Sequence, residues 1–352
     1  MIKHAVLFVL ALELLFLGSL GLDQEILMRT GESVVLRTTP VDPRDIFRGD
    51  YVILRYDVNA VGAAGLRDGL AGEPAADGER VYAVLEPIPG SDDLRRLAYV
   101  TDVRPDEGTF LAGRVGRPPG WVPRPVGGLA AHYGIEKLFV EQGRGWEIEE
   151  RRGRRDGMQI PMEVELAVAA DGDASIRDFR WSPMGVTLEV VRADERPPTD
   201  DGDGDGDEAA RAPTVCVTLH NVGDVPRWVI DPGGASGSHC SFHLASADWG
   251  GDAMRTATSE CRGITMDADA LHRLAPGESY SVTLDLDAAR WDVVDDDGVV
   301  DLATRLAGNG AAIRMVYRPD PAWLAGLDPS LGEAIWTTEL YTPSFGLAGR
   351  ID

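Results

Sequence analysis

Residues 40–56 read PVDPRDIFRGDYVILRY. Pro40 and Pro43 fix their φ angles and remove two backbone donors. Asp42 and Asp45 stand where short carboxylates accept from the turn those prolines create, and Gly49-Asp50 marks a second turn. From Tyr51 to Val58 the chain alternates and is rich in β-formers, which predicts a strand packed against a core. Tyr51 and Tyr56 differ by an odd number of positions, so a regular strand points them to opposite faces. Leu54 falls on the face of Tyr56, the expected core side, while Ile53 and Arg55 share the face of Tyr51. The Asp50 carboxylate is expected to accept from backbone N–H groups of its turn.

Outward from this stretch the chain reads as short strands. Residues 32–38 form a first strand after the Gly31 turn, and residues 59–80, rich in Gly and Ala, form a loop with some helical character. Strands follow at 81–86, 97–103 and 109–115, the last two joined by the turn Pro105-Asp106-Glu107-Gly108. Residues 162–169 and 174–181 form a hairpin around Asp171-Gly172-Asp173. Ser182-Pro183 marks a domain junction, after which strands are predicted at 184–191, 214–220, 242–244, 280–286, 312–317 and 336–341.

The chain has 352 residues, 44% of them apolar and 26% charged, which allows two domains with real cores. Its 58 acidic against 34 basic residues give a net charge of −24. A field of that sign repels phosphate backbones, so nucleic acid is excluded as a partner. Residues 5–22 are apolar except for Glu13, with Lys3 before the run and Asp23 and Glu25 after it. That length just spans a hydrocarbon core as a helix. The charge order sets the N-terminus in the cytoplasm and the body outside. A cleaved signal peptide is the rival reading, with Ser19 and Gly21 as its small residues and Leu22 as the new N-terminus.

The segment Gly49-Asp50-Tyr51-Val52-Ile53-Leu54-Arg55-Tyr56 matches G-D-Y-x-x-L-x-Y at every specified position. It resembles the GDYXXLXY family of membrane-anchored bacterial proteins. A second stretch, His132 to Arg151, is similar to that family through Tyr133, Phe139-Val140, Glu141-Gln142-Gly143 and the acidic run Glu147 to Glu150. It departs at Leu138, where the family has a further aromatic, and at Glu141, where it has a proline. The resemblance covers residues 25–181 and implies membrane anchoring and a multi-spanning membrane partner. From Asn221-Val222-Gly223-Asp224 through Leu274-Ala275-Pro276-Gly277-Glu278-Ser279 to a Trp-led last strand, the rest is similar to bacterial Ig-like sandwiches. A fold of that breadth implies no activity.

The expected architecture is therefore mainly β. A transmembrane signal anchor (1–24) leads to a small β-barrel or rolled-sheet domain (25–181). An Ig-like β-sandwich (182–352) with an acidic loop at 194–212 completes it.

Candidates for chemistry are few. The tract TDDGDGDGDE at 199–208 fails the spacing of an EF-hand loop, because no acidic residue falls at the twelfth position, and it reads as a solvated loop. Cys216 alternates beside valines and is expected to fill the core. Cys240 and Cys261 are expected to form a disulfide outside the cytoplasm. The alternative is a metal site, with His239 and His243 placing imidazoles around Cys240. Gly234-Ala235-Ser236-Gly237-Ser238 lacks the last glycine of a serine elbow. No Walker loop, dinucleotide fingerprint or H-E-x-x-H is present, so no catalytic, cofactor or metal residue is assigned. The site of interest is Asp42, Pro43, Arg44, Arg48, Gly49, Asp50, Tyr51, Leu54 and Tyr56. Its expected role is binding or scaffolding at the membrane surface. An envelope hydrolase using Asp42, Asp45 and Asp50 as acids is the alternative.

Overall fold

The computed structural model describes residues 13, 21, 22, 24–38, 51–72, 75–88, 91, 93–117, 127–141, 148, 157–191, 211–233, 238–246, 254, 256, 261, 264, 266, 268–295, 298–307, 312–327 and 334–346. The protein is mainly β. Its first half is built on one mixed sheet of eight strands. In spatial order these are β10 (Ala174–Trp181), β9 (Met162–Val168), β1 (Glu32–Arg37), β5 (Leu94–Thr101), β4 (Arg80–Pro87), β6 (Phe110–Val115), β7 (Leu129–His132) and β3 (Ala60–Val61). β1 sits between β9, which it meets antiparallel, and β5, which it meets parallel through Val35 and Leu94.

The sheet is open. β10 and β3 lie at opposite ends of the strand order and do not pair with each other among the described residues, so the expected barrel does not close. Alternation along β9, with Met162, Val164, Leu166 and Val168 all buried, supplies much of the core. Val34 and Leu36 of β1 and Val81 and Ala83 of β4 join the same cluster. The β9–β10 hairpin turns at Gly172, whose φ of +88 favours glycine, and an added Cβ there would lie 2.7 Å from the Phe110 ring.

The strand expected over residues 51–58 is shorter than its alternation implies. β2 (Tyr51–Ile53) pairs antiparallel with β8 (Lys137–Phe139) in a separate ribbon. The chain then dives inward and makes a 3-10 turn at Asp57–Asn59 before β3. Val52, Leu54 and Tyr56 are buried, which is the face expected for the core, and Arg55 is buried too.

A second core lies beyond Ser182. β11 (Met184–Val191), β12 (Thr214–Asn221) and β16 (Ser279–Asp285) form one antiparallel sheet. β14 (Phe242–Ser246), β19 (Ile313–Tyr317) and β20 (Leu340–Tyr341) form another, and β13 (Arg227–Ile230) pairs with β15 (Leu271–Leu274). Val215, Val217 and Leu219 of β12 share one cluster with Phe242, Leu244, Met315 and Tyr317. Cys216 is half-buried on the opposite face of β12, opposite Glu189 and Thr283. The expectation of a core cysteine fails because its valine neighbours take the inward positions. Of the last strand expected at 336–341, only Leu340–Tyr341 is in the ladder.

Among the described residues no helix is long and apolar enough to cross a membrane. Of the span expected at 5–22, only Glu13, Gly21 and Leu22 are described, all exposed. A short helix at 24–30 precedes β1. The acidic tract 199–208 also lies outside the described residues.

Candidate functional site

Asp42, Pro43, Arg44, Asp45, Arg48, Gly49 and Asp50 lie outside the described residues. Tyr51, Leu54 and Tyr56 are described, Tyr51 by its backbone, which pairs with Phe139. Leu54 is 0% exposed and Tyr56 2% exposed. Both tie this stretch to residues 133–136. The Leu54 N–H donates to the Glu136 carbonyl at 2.9 Å, and the Tyr56 hydroxyl donates to the Ile135 carbonyl at 3.2 Å.

Asn59 and Glu136 close the seam. The Tyr56 N–H donates to Asn59 Oδ1 at 2.9 Å. Asn59 Nδ2 donates to the Ala131 carbonyl at 3.1 Å and to Glu136 Oε1 at 2.9 Å. Glu136, 3% exposed, also accepts from the N–H groups of Tyr133 at 2.6 Å and Gly134 at 3.0 Å. Both carboxyl oxygens of Glu136 therefore meet donors inside the fold. Burial first, and the Glu136 charge second, push the Tyr133 hydroxyl well above its ordinary value, so it stays protonated. The Tyr133 ring lies over Gly113, where an added Cβ would come within 2.5 Å of it. Each side-chain polar atom of Asn59 and Glu136 is hydrogen-bonded within the fold, and the arrangement joins two segments.

Between the two cores runs an ion network. Glu163, its side chain 2% exposed, accepts from Arg37 at 2.8 Å and from Arg180 at 2.8 Å. Arg180 also forks onto Asp93 at 2.6 and 2.9 Å, which holds the Asp93 carboxyl below its usual range. Arg37 reaches on to the Glu339 carbonyl at 2.7 Å and lies over the Trp336 ring.

A third polar cluster lies in the second half; sequence reasoning paired Cys240 with Cys261 and set His239 and His243 beside Cys240, but it did not connect Asp231, Tyr280 or His272 to them. Cys240 and Cys261 are joined as a disulfide with Cα atoms 5.6 Å apart. The two imidazoles considered as metal ligands have other partners. His243 Nε2 lies 3.0 Å from the Arg318 carbonyl, and His239 Nδ1 lies 2.7 Å from Asp231 Oδ2. The Tyr280 hydroxyl donates to the same Asp231 oxygen at 2.8 Å, and the His272 ring stacks on Tyr280 at 4.1 Å. Among the described residues no group of three or more His, Cys, Asp or Glu is arranged to hold a metal ion. The one available sequence signal was Asp231-Pro232-Gly233, a turn that could return the chain toward the histidine.

Residues 13–179 match the family model described as GDYXXLXY protein. No curated protein and no solved structure matches the chain. The matched span contains the whole eight-stranded sheet except the last residues of β10, together with the seam between residues 54–59 and 131–136. Over residues 13–179, a little under half of its length, the chain is thus similar to the GDYXXLXY family.

Proposed function

We propose that the chain is a single-pass, membrane-anchored protein whose body stands outside the cytoplasm and works by binding or scaffolding, alongside a multi-spanning membrane partner. Residues 1–24 are its anchor, residues 25–181 a GDYXXLXY domain, and residues 182–352 an Ig-like sandwich. The observation that carries this reading is the seam. Leu54, Tyr56 and Asn59 are committed to packing and to internal hydrogen bonds with residues 131–136, so the reading gives the described part of the motif a structural role inside the domain that presents the binding surface. Next to it, Phe139 on β8 is 74% exposed, and the reading assigns this side chain to the partner contact. The apolar run 5–22 supports the anchor, and the Cys240–Cys261 disulfide supports an oxidising, extracytoplasmic location for the body.

Cross-linking in native membranes followed by capture of the full chain tests the reading. One multi-spanning protein recovered in stoichiometric yield, and lost on Phe139→Asp, is the expected result. Recovery of the chain alone, or capture unaffected by that change, argues against it. A reporter fused after Asp352 should read as extracytoplasmic, and a cytoplasmic reading would reverse the topology.

A further inference from the structure

We propose that His239 is a proton-accepting site held in register by Asp231, able to act as general base for a water attacking an acyl ester. Asp231 directly follows β13, and Pro232 and Gly233 turn the chain back on itself. The Ser238 N–H donates to the Gly233 carbonyl at 3.0 Å and the Cys240 N–H to the Pro232 carbonyl at 3.1 Å. That return delivers His239 Nδ1 to Asp231 Oδ2. The Asp231 side chain is 0% exposed, whereas that of His239 keeps 15% exposure.

A carboxylate facing Nδ1 selects the tautomer with its proton on that nitrogen and leaves the lone pair on Nε2. Nε2 makes no hydrogen bond among the described residues. Tyr280 cannot compete for the proton, because burial and the Asp231 charge push its hydroxyl far above its ordinary value and keep it a donor. Asp231 Oδ1 is buried and makes no hydrogen bond among the described residues, an unsatisfied buried acceptor beside the pair that calls for a role. His239 also holds a φ of +41, one of two positive values among the described non-glycine residues. Such strain concentrates at functional positions, and here the neighbouring disulfide and the Asp231 contact hold it in place.

The other groups around the pair are defined. His272 stacks behind Tyr280, with its own basicity lowered by burial and with Asp269 nearby. Arg290 reaches the His239 carbonyl at 3.5 Å, and the Tyr317 hydroxyl accepts from the Ile230 N–H beside Asp231. In the proposed step Nε2 takes a proton from water, breaking an O–H bond and forming an N–H bond, with the positive charge facing Asp231. The freed oxygen pair bonds to the ester carbonyl carbon. The adduct collapses by breaking the C–O bond to the alcohol half, and Nε2 returns the proton to that departing oxygen. Asp231 is a positioning residue, and Tyr280 fixes its rotamer.

The test uses the full chain. Nitrogen NMR of histidine-labelled protein at neutral pH should find His239 with its proton on Nδ1. Hydrolysis of p-nitrophenyl acetate should be at least about tenfold faster than by His239→Asn, a conservative change because Asn tolerates the left-handed backbone. Asp231→Asn should lower the rate and move the pH profile while the fold still melts cooperatively. A proton found on Nε2, or equal rates for the parent and a folded His239→Asn, overturns the proposal. If His239→Asn does not fold, the tautomer of the parent decides alone.

Discussion

The Tyr56 hydroxyl donates to the Ile135 carbonyl across 79 residues of chain. The motif's last tyrosine is therefore bonded to the second stretch on which the family resemblance rests. Asn59, three residues further on, and Glu136 complete the joint. Two sequence signals that looked independent belong to one buried seam.

Changing Asn59 to Ala removes the donor to Glu136 and the acceptor for the Tyr56 N–H. It should cost about 1–3 kcal/mol, as expected when buried bonded groups lose a partner. Asn59→Asp should cost more, because it sets a second carboxylate against Glu136 in a buried site. Denaturant unfolding of the two variants side by side checks the order, and equal stabilities would remove Glu136 from the seam.

Arg37 is the cation that links β1 to Glu163, to the Glu339 carbonyl and to the Trp336 ring. Arg37→Ala should destabilise by about 2 kcal/mol or more by leaving a buried carboxylate with one partner fewer. Arg37→Lys should recover only part of this, since an ammonium cannot fork to the carboxylate and the carbonyl together. Tryptophan fluorescence during unfolding reports both changes, and a full recovery by lysine would contradict the forked geometry.

β9 was legible because its apolar residues Met162, Val164, Leu166 and Val168 alternate and are all buried, and Asp171-Gly172-Asp173 supplies the φ > 0 turn into β10, whose register shifts between Ile176 and Asp178. The motif strand misled for a physical reason. Its period-two pattern runs on to Val58, but Asn59 offers the backbone a turn, accepting from Tyr56 and closing residues 57–59 into a 3-10 segment. β7 and β8 escaped because they are short and separated by Gly134, whose φ is +82. The Asp231–His239 pair was not legible, since only the Pro232–Gly233 return brings those side chains together. Cys216 shows the limit of alternation: the pattern gives two faces, and the packing of Val215 and Val217 decides which is inside.

Stability should fall with acid in two stages. Burial lowers the His243 pKa, so its share is present above the unfolded value of about 6.5 and is lost as pH falls through the lower folded value. Arg180 lowers the Asp93 pKa, and Arg177 that of Glu165, each mainly by a hydrogen bond. Their shares are present above the unfolded carboxylate values of about 4 and are lost below them. Melting temperature against pH should show both stages, with His243→Gln flattening the first and Arg180→Ala reducing the second. A first stage unchanged by His243→Gln would assign it elsewhere.

Alkylation without reduction should label Cys216 once the chain is unfolded and leave Cys240 and Cys261 blocked. Reduction should cost roughly 3 kcal/mol on the chain-entropy scale for a closed loop of this size, their sequence separation being 21. Free Cys240 and Cys261 thiols in protein taken from native membranes would contradict both the bond and the compartment inferred from it.

The central claim is that the motif acts by building the seam. Its most direct test pairs thermal unfolding of the body, from Asp23 onward, with capture of the proposed membrane partner, for Leu54→Ala and Tyr56→Phe. Leu54 is fully buried, so Leu54→Ala should lose about 2–5 kcal/mol, and Tyr56→Phe about 1 kcal/mol. Both should still capture the partner when assayed well below their melting temperatures. Variants that melt like the parent but no longer capture it would make the motif a binding surface and contradict the structural role.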